Sequence, residues 1–100
     1  MSTVLEKNKY GIIQYPKGDV RRLLVLAAAV DALERPTLTT LAKYTGHNKG
    51  TIGKDISKLD EQLGVVISKT DSVYQIQSWG DLLKKGQIRR YFSKLEIDDV

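Results

Sequence analysis

One hundred residues with 41% hydrophobic content suit a single domain with one modest core. Sixteen Lys and Arg against twelve Asp and Glu leave a net charge of +4 and a sequence pI near 9.4, a balance that favours a polyanionic partner. The absence of cysteine excludes disulfides, zinc-finger thiolates and a thiol nucleophile.

Residues 1–9 read as a mobile N-terminus, in which Lys7 and Lys9 make a basic arm able to enter a minor groove. Tyr10 to Tyr15 is β-prone and ends at Pro16-Lys17-Gly18; it can add a strand or reach across to a partner. A helix is predicted from Asp19 to about Glu34, stopping before Pro36. Its middle, Leu23 to Val30, is apolar nearly all round, and such a helix is buried all round. One side is assigned to the domain's own core. The other, through Leu23, Leu26 and Val30, is assigned to a subunit interface. The same apolar run is far too short to span a bilayer, and no signal peptide is visible, so a cytoplasmic location without membrane contact is expected.

A short helix follows, with Thr37 placed to cap it and Leu38, Leu41 and Ala42 facing inward. Gly46 occupies the next turn, where a positive φ is expected and glycine accepts it without strain. The second helix of the pair is predicted over 49–63. Its apolar residues Ile52, Ile56, Leu59 and Leu63 share one narrow arc. The opposite face holds Gly50, Lys54, Ser57 and Lys58, with Thr51 on its flank. Asn48 is a good N-cap, and Gly64 ends the helix. Gly50 and Gly53 should each cost about 1 kcal/mol relative to Ala. Close backbone approach is one reason for them, Gly50 to a phosphate and Gly53 to a neighbouring helix. A weak helix start is the other.

Val65 to Lys69 and Val73 to Gln77 are β-rich on either side of the turn signal Thr70-Asp71-Ser72. Tyr74 and Ile76 alternate with Val73, Gln75 and Gln77, which gives the second strand an apolar face. Helix, glycine turn, helix and hairpin is the order of a winged helix-turn-helix, mainly α with a small β-hairpin and so of the α+β class. An extra C-terminal helix is expected beyond it, started by Ser78 and Asp81 in capping-box fashion. Trp79, Leu82 and Leu83 share one of its faces, and Ile88, Tyr91, Phe92 and Leu95 share another, with Gly86 between the sets. Either the chain bends at Gly86, or one straight helix packs its first half on its own core and its second half on a partner. Lys84, Lys85, Arg89 and Arg90 line this stretch as a solvated face or as contacts to flanking phosphates. The expected organisation is a domain over 10–85 and a dimerising helix over 86–100 that ends in an acidic tail.

From Leu41 to about Leu83 the chain resembles the N-terminal DNA-binding domain of LysR-type transcriptional regulators, and the MarR-like frame is also compatible. The resemblance is carried by Ala42, Ile52, Ile56, Leu59, Asp60 in place of the family's Glu, Leu63, Gly64 and Val65, and continues without a gap through Ile76 and Gly80. The family's Ser-Gln-Pro-Ala is Asn48-Lys49-Gly50-Thr51 here, so its sequence preference does not transfer. The frame is expected to act without an effector domain.

In a helix-turn-helix the second helix reads base edges from its N-terminal residues. The expected DNA contacts are therefore Thr37, His47, Asn48, Lys49, Gly50, Thr51, Lys54 and Lys58, with Lys69 and Ser72 on the wing. Asn can bond adenine, Lys guanine, and the Thr51 methyl can touch thymine. Lys69 is equally well read as an ordinary solvated lysine. The expected subunit interface is Leu23, Leu26, Val30, Ile88, Tyr91, Phe92 and Leu95. Together these describe a homodimeric double-stranded DNA-binding regulator, most simply a repressor on a palindromic site, open to a protein co-regulator. The alternatives are a winged-helix protein–protein adaptor, or a plasmid or phage replication or partition protein on repeated DNA sites. Catalysis is not expected, because the single His47 lies in the motif turn, where it serves as a cap, in packing or as a phosphate contact, and Asp60 and Glu61 are adjacent rather than paired across a cleft. No cofactor and no metal are expected either.

Overall fold

A computed structural model describes residues 6–80. It contains three helices, α1 (Val20–Ala32), α2 (Leu38–Thr45) and α3 (Lys49–Leu63), followed by two strands, β1 (Val66–Thr70) and β2 (Val73–Ser78). The class is α+β, mainly α with a small antiparallel hairpin. The C-terminal helix predicted over 86–100 lies outside the described residues.

Asp19 starts α1, its carboxylate accepting the Arg21 amide at 2.9 Å. The helix ends at Ala32, short of the predicted Glu34, because Leu33 turns extended and packs its side chain back on the core. α1 is the central element and packs against α2, α3 and β2. Leu23, Leu26 and Val30, expected at a subunit interface, are 7%, 0% and 4% exposed within one copy of the chain. They belong to the core cluster with Leu41, Ile52, Leu59 and Val65. The expectation counted only the motif helices as cover for α1, whereas the hairpin packs on it as well.

α2 opens with a reciprocal capping box. The Thr40 amide donates to Thr37 Oγ1 at 3.1 Å, and the Thr37 amide donates to Thr40 Oγ1 at 2.7 Å. It closes at Gly46, which is left-handed with φ 79°. A Cβ there would also stand 2.5 Å from Gln14 Oε1, so both conformation and space demand glycine. The last carbonyls of α2, which no helical amide can reach, are taken by the N-terminal segment. Asn8 Nδ2 donates to the Tyr44 carbonyl at 2.8 Å and Gln14 Nε2 to the Thr45 carbonyl at 2.9 Å. Glu6 to Lys9 are thus docked where a mobile arm was expected. The β-prone stretch makes only one isolated bridge, Lys7 with Ile13, because Gly11 at φ 79° folds it back on itself.

α3 buries Ile52 and Leu59 completely and sets Ile56 and Leu63 at the core's margin. Asn48 caps its start by accepting the Gly50 amide at 2.7 Å. Gly64, left-handed at φ 73°, turns the chain into the hairpin. Asp71 and Ser72 form a two-residue loop at φ 50° and 69°, the positive-φ pair that matches strand twist. The register pairs Ile67 with Ile76 and Lys69 with Tyr74. Ile67, Tyr74 and Ile76 therefore share a face, and all three pack against the core as the alternation predicts. The Tyr74 amide donates to the Pro36 carbonyl at 2.7 Å, tying the hairpin to the α1–α2 loop. No described helix is long and apolar enough to cross a membrane.

Asn8 makes three hydrogen bonds at once, since its Oδ1 also accepts the Tyr10 and Ile12 amides, each at 3.0 Å. Asn8→Ala should lower the unfolding free energy in urea by about 1–3 kcal/mol. A loss below about 0.5 kcal/mol, the range of featureless surface sites, would mean that the segment does not support α2.

Candidate nucleic-acid interface

The solvent face of α3 is set by its buried stripe. With Ile52, Asp55 and Leu59 turned inward, Gly50, Lys54, Ser57, Lys58 and Glu61 are left outward. The acid nearest the lysines is the one taken inside. Asp55 is 7% exposed and its Oδ2 lies 3.9 Å from Arg22 Nε on α1. Arg22 also reaches the Tyr15 carbonyl through Nη1 at 3.5 Å.

A cleft of about 310 Å³ runs between the α1 entry and α3. Its cations are Lys17, Arg22, Lys54 and Lys58, with Thr51 and Gln62 on the α3 wall. Its two acids already have cationic partners. Arg21 holds Asp19 at 2.6 Å, and their hydrogen bonds keep the Asp19 carboxyl below its usual pKa; Arg22 faces Asp55. Lys17, Lys54 and Lys58 enter no ion pair among the described residues. The cleft thus carries uncompensated positive charge, which suits a phosphate or another polyanion.

The predicted contact residues divide. Lys49, Gly50, Lys54 and Lys58 are exposed on α3. Thr51 is half-buried, and its hydroxyl donates to the Asn48 carbonyl at 2.9 Å, which leaves its methyl as the group not held. Asn48 is exposed and its oxygen already accepts the Gly50 amide, so a two-bond contact with adenine uses the second lone pair of that oxygen together with the Nδ2 amino group. Gly50 is explained locally, because a Cβ there would press on Asn48 Oδ1 at 3.0 Å. Gly53 has nothing within 4 Å of a Cβ position, so the expected approach to a neighbouring helix does not occur. It lies bare on the exposed flank.

His47 is the clear correction. Counted among the DNA contacts, with a cap or packing as its other readings, it is only 3% exposed and therefore packed, because the left-handed Gly46 turns the next side chain inward. Its amide donates to Thr45 Oγ1 at 3.1 Å, and neither ring nitrogen has a partner. Burial, with the nearby Arg22 charge as the lesser cause, lowers its pKa to about 4 and keeps it neutral.

Thr37 is engaged in the α2 capping box, about 12 Å from the turn by helix rise. Lys69 and Ser72 are exposed on the hairpin, with Lys69 Nζ 5.7 Å from the Tyr74 ring centre. None of these three lines the cleft. Ile88, Tyr91, Phe92 and Leu95 lie outside the described residues.

Lys17 and Arg22 were not among the predicted contacts. Lys17 comes to α3 only through the turn of the chain before α1, which leaves no local mark in the sequence. Arg22 has a readable signal in Asp55, which follows Ile52 by three and precedes Leu59 by four on the apolar stripe. An acid at that spacing requires a buried cation opposite it. Among the described residues, no group of three or more His, Asp or Glu side chains could hold a metal ion.

His47 has a consequence for pH. Its folded pKa lies below the unfolded value of 6.5, so protonation favours the unfolded chain. Its contribution is fully present above pH 6.5 and should drain away as pH falls from there through about 4, by about 3 kcal/mol in all. Urea unfolding of the wild type and of His47→Phe at several pH values checks this. The variant should lose that part of the pH slope, whatever its absolute stability. Parallel slopes would show that the ring protonates freely in the folded state.

No family model, no curated protein and no solved structure matches the chain.

Proposed function

We propose that the chain is a sequence-specific double-stranded DNA-binding regulator of the winged helix-turn-helix kind. In this reading α3 lies in the major groove, and the β1–β2 hairpin acts as the wing. The observation that carries it is the sorting of charge on α3. Lys49, Lys54 and Lys58 face solvent, while Asp55 faces inward to Arg22. A major groove about 12 Å wide admits one helix, and bare backbone at Gly53 lets that helix sit close. Lys54 and Lys58, with Lys17 across the cleft, are then placed for a phosphate strand along one groove wall. Lys49 and Thr51, in the first turn, are the candidates for reading base edges.

The regulator acts as a homodimer on a palindromic site, with half-sites about 10 bp or a multiple apart. Occlusion of polymerase is the simplest mode of repression, and a protein co-regulator can supply control. Because Leu23, Leu26 and Val30 are core, these three side chains of α1 are not the ones through which the two copies meet.

Fluorescence anisotropy with a random-sequence duplex tests the reading. Binding should be tight at low salt and weaken steeply as salt rises. Lys54→Ala should weaken it more than tenfold with an unchanged melting curve, since the side chain is exposed. Unchanged affinity would put a different face on the DNA. No binding at low salt would overturn the proposal and leave the protein–protein adaptor as the working reading.

A further inference from the structure

Outside the basic cleft, another cation is held beside the motif turn. Lys9 and Tyr10 are the central residues of a tight turn, closed by the Gly11 amide on the Asn8 carbonyl at 3.0 Å. Asn8 Oδ1 accepts the Tyr10 and Ile12 amides, and Asn8 Nδ2 ties the turn to the Tyr44 carbonyl at the end of α2. The Tyr10 ring rests on the Tyr44 ring with centres 5.7 Å apart, and Lys9 Nζ lies 5.3 Å from the Tyr10 centre. Both side chains still meet solvent, Lys9 as an exposed residue and Tyr10 at 38%. Lys9 enters no ion pair among the described residues. Asn8 and Gln14 do the docking, so the fold itself makes little use of the Lys9 charge.

We propose that this turn is a further DNA contact, in which the Lys9 ammonium and the Tyr10 hydroxyl donate to a backbone phosphate beside the groove that α3 occupies. The inference rests on the DNA reading above and extends it to residues that neither line the cleft nor belong to the helix pair.

Reach supports it. Tyr44 and the Asn48 cap of α3 are four residues apart, a span of at most about 14 Å. That is close to the width of a major groove, about 12 Å, and the turn rests directly on Tyr44. Charge supports it too. A helix C-terminus carries negative partial charge, which repels a phosphate. Here the side-chain amides of Asn8 and Gln14 cover the Tyr44 and Thr45 carbonyls, and Lys9, with Lys43 in the last turn of α2, makes the local charge positive. The third support is order. The backbone under Lys9 is already fixed by the bonds of Asn8, so a contact made there pays less in lost freedom than one made by a mobile arm. Phosphate contacts carry no base information, so the turn adds affinity on every sequence and leaves specificity to α3.

Anisotropy titrations of the full chain with a random-sequence duplex across a salt series test this. Lys9→Ala should weaken binding about fivefold at low salt and lower the slope of log K against log salt by about 1. Lys9→Arg keeps the charge and should keep both values. Arg35→Ala removes one exposed charge at the opposite end of α2 and should change neither. The melting curves of all three variants should overlay that of the wild type. An unchanged affinity and slope for Lys9→Ala, with Lys54→Ala still impaired, would overturn this inference and leave the DNA reading standing. Equal losses in Lys9→Ala and Arg35→Ala would trace the effect to net charge and overturn it as well. A wild type that does not bind at low salt would overturn both.

Discussion

The fold depends on the need to cover the apolar middle of α1, of which Leu23, Val25, Leu26, Ala27, Ala29 and Val30 are buried and Leu24 and Ala28 half-buried. Its run from Leu23 to Val30 offers solvent almost no polar face, and water contact there costs roughly 25 cal/mol for each Å² of apolar surface. α2 and α3 cover one side with Leu41, Ile52 and Leu59, and the hairpin adds Tyr74 and Ile76. The order of the remaining elements serves this enclosure. Gly46 must reverse the chain between two helices that both touch α1, and Gly64 must do so again between α3 and the hairpin. The N-terminal segment is drawn in as well, because α2 is only 8 residues long and its last carbonyls need the side chains of Asn8 and Gln14.

The same enclosure sorts the charges. An aspartate on the inner side of α3 is tolerable only with a cation at hand, and α1 supplies Arg22 one residue before its apolar run begins. With Asp55 drawn inward, the lysines of α3 face solvent without an acid between them in their half of the helix. Core packing and surface potential are thus two results of one helical phase, set by Ile52, Asp55 and Leu59. His47 follows the inward route for a different reason, the handedness of the turn before it.

Much of this was legible in the residues. The apolar arc of Ile52, Ile56, Leu59 and Leu63 gave α3 its limits, and Asn48 and Gly64 marked both ends. Alternation at Tyr74 and Ile76 gave the face of β2 that meets the core. Local pattern is sufficient there because each signal lies within one element. It failed where partners come from distant parts of the chain. The Asn8–Tyr44 bond spans 36 residues, and no periodicity links a polar residue near the N-terminus to the end of α2. Leu23, Leu26 and Val30 were assigned outward because the cover provided by the hairpin is a fact of topology, not of α1. For His47 the sequence leaves a cap, packing and a phosphate contact all open, because its direction depends on the left-handed backbone just before it.

The bond from the Tyr74 amide to the Pro36 carbonyl also bears on self-association. A two-stranded ribbon has two open edges, and an unpaired edge invites strands from other molecules. Along β2 that invitation meets Pro36, a residue that accepts a hydrogen bond but has no amide to offer in return. The contact therefore fastens the hairpin to the helical body without starting a third strand, and pairing does not propagate past it. At Tyr74 the outer edge of β2 is met by a group that cannot extend the ladder, which leaves one template fewer for strand pairing between copies.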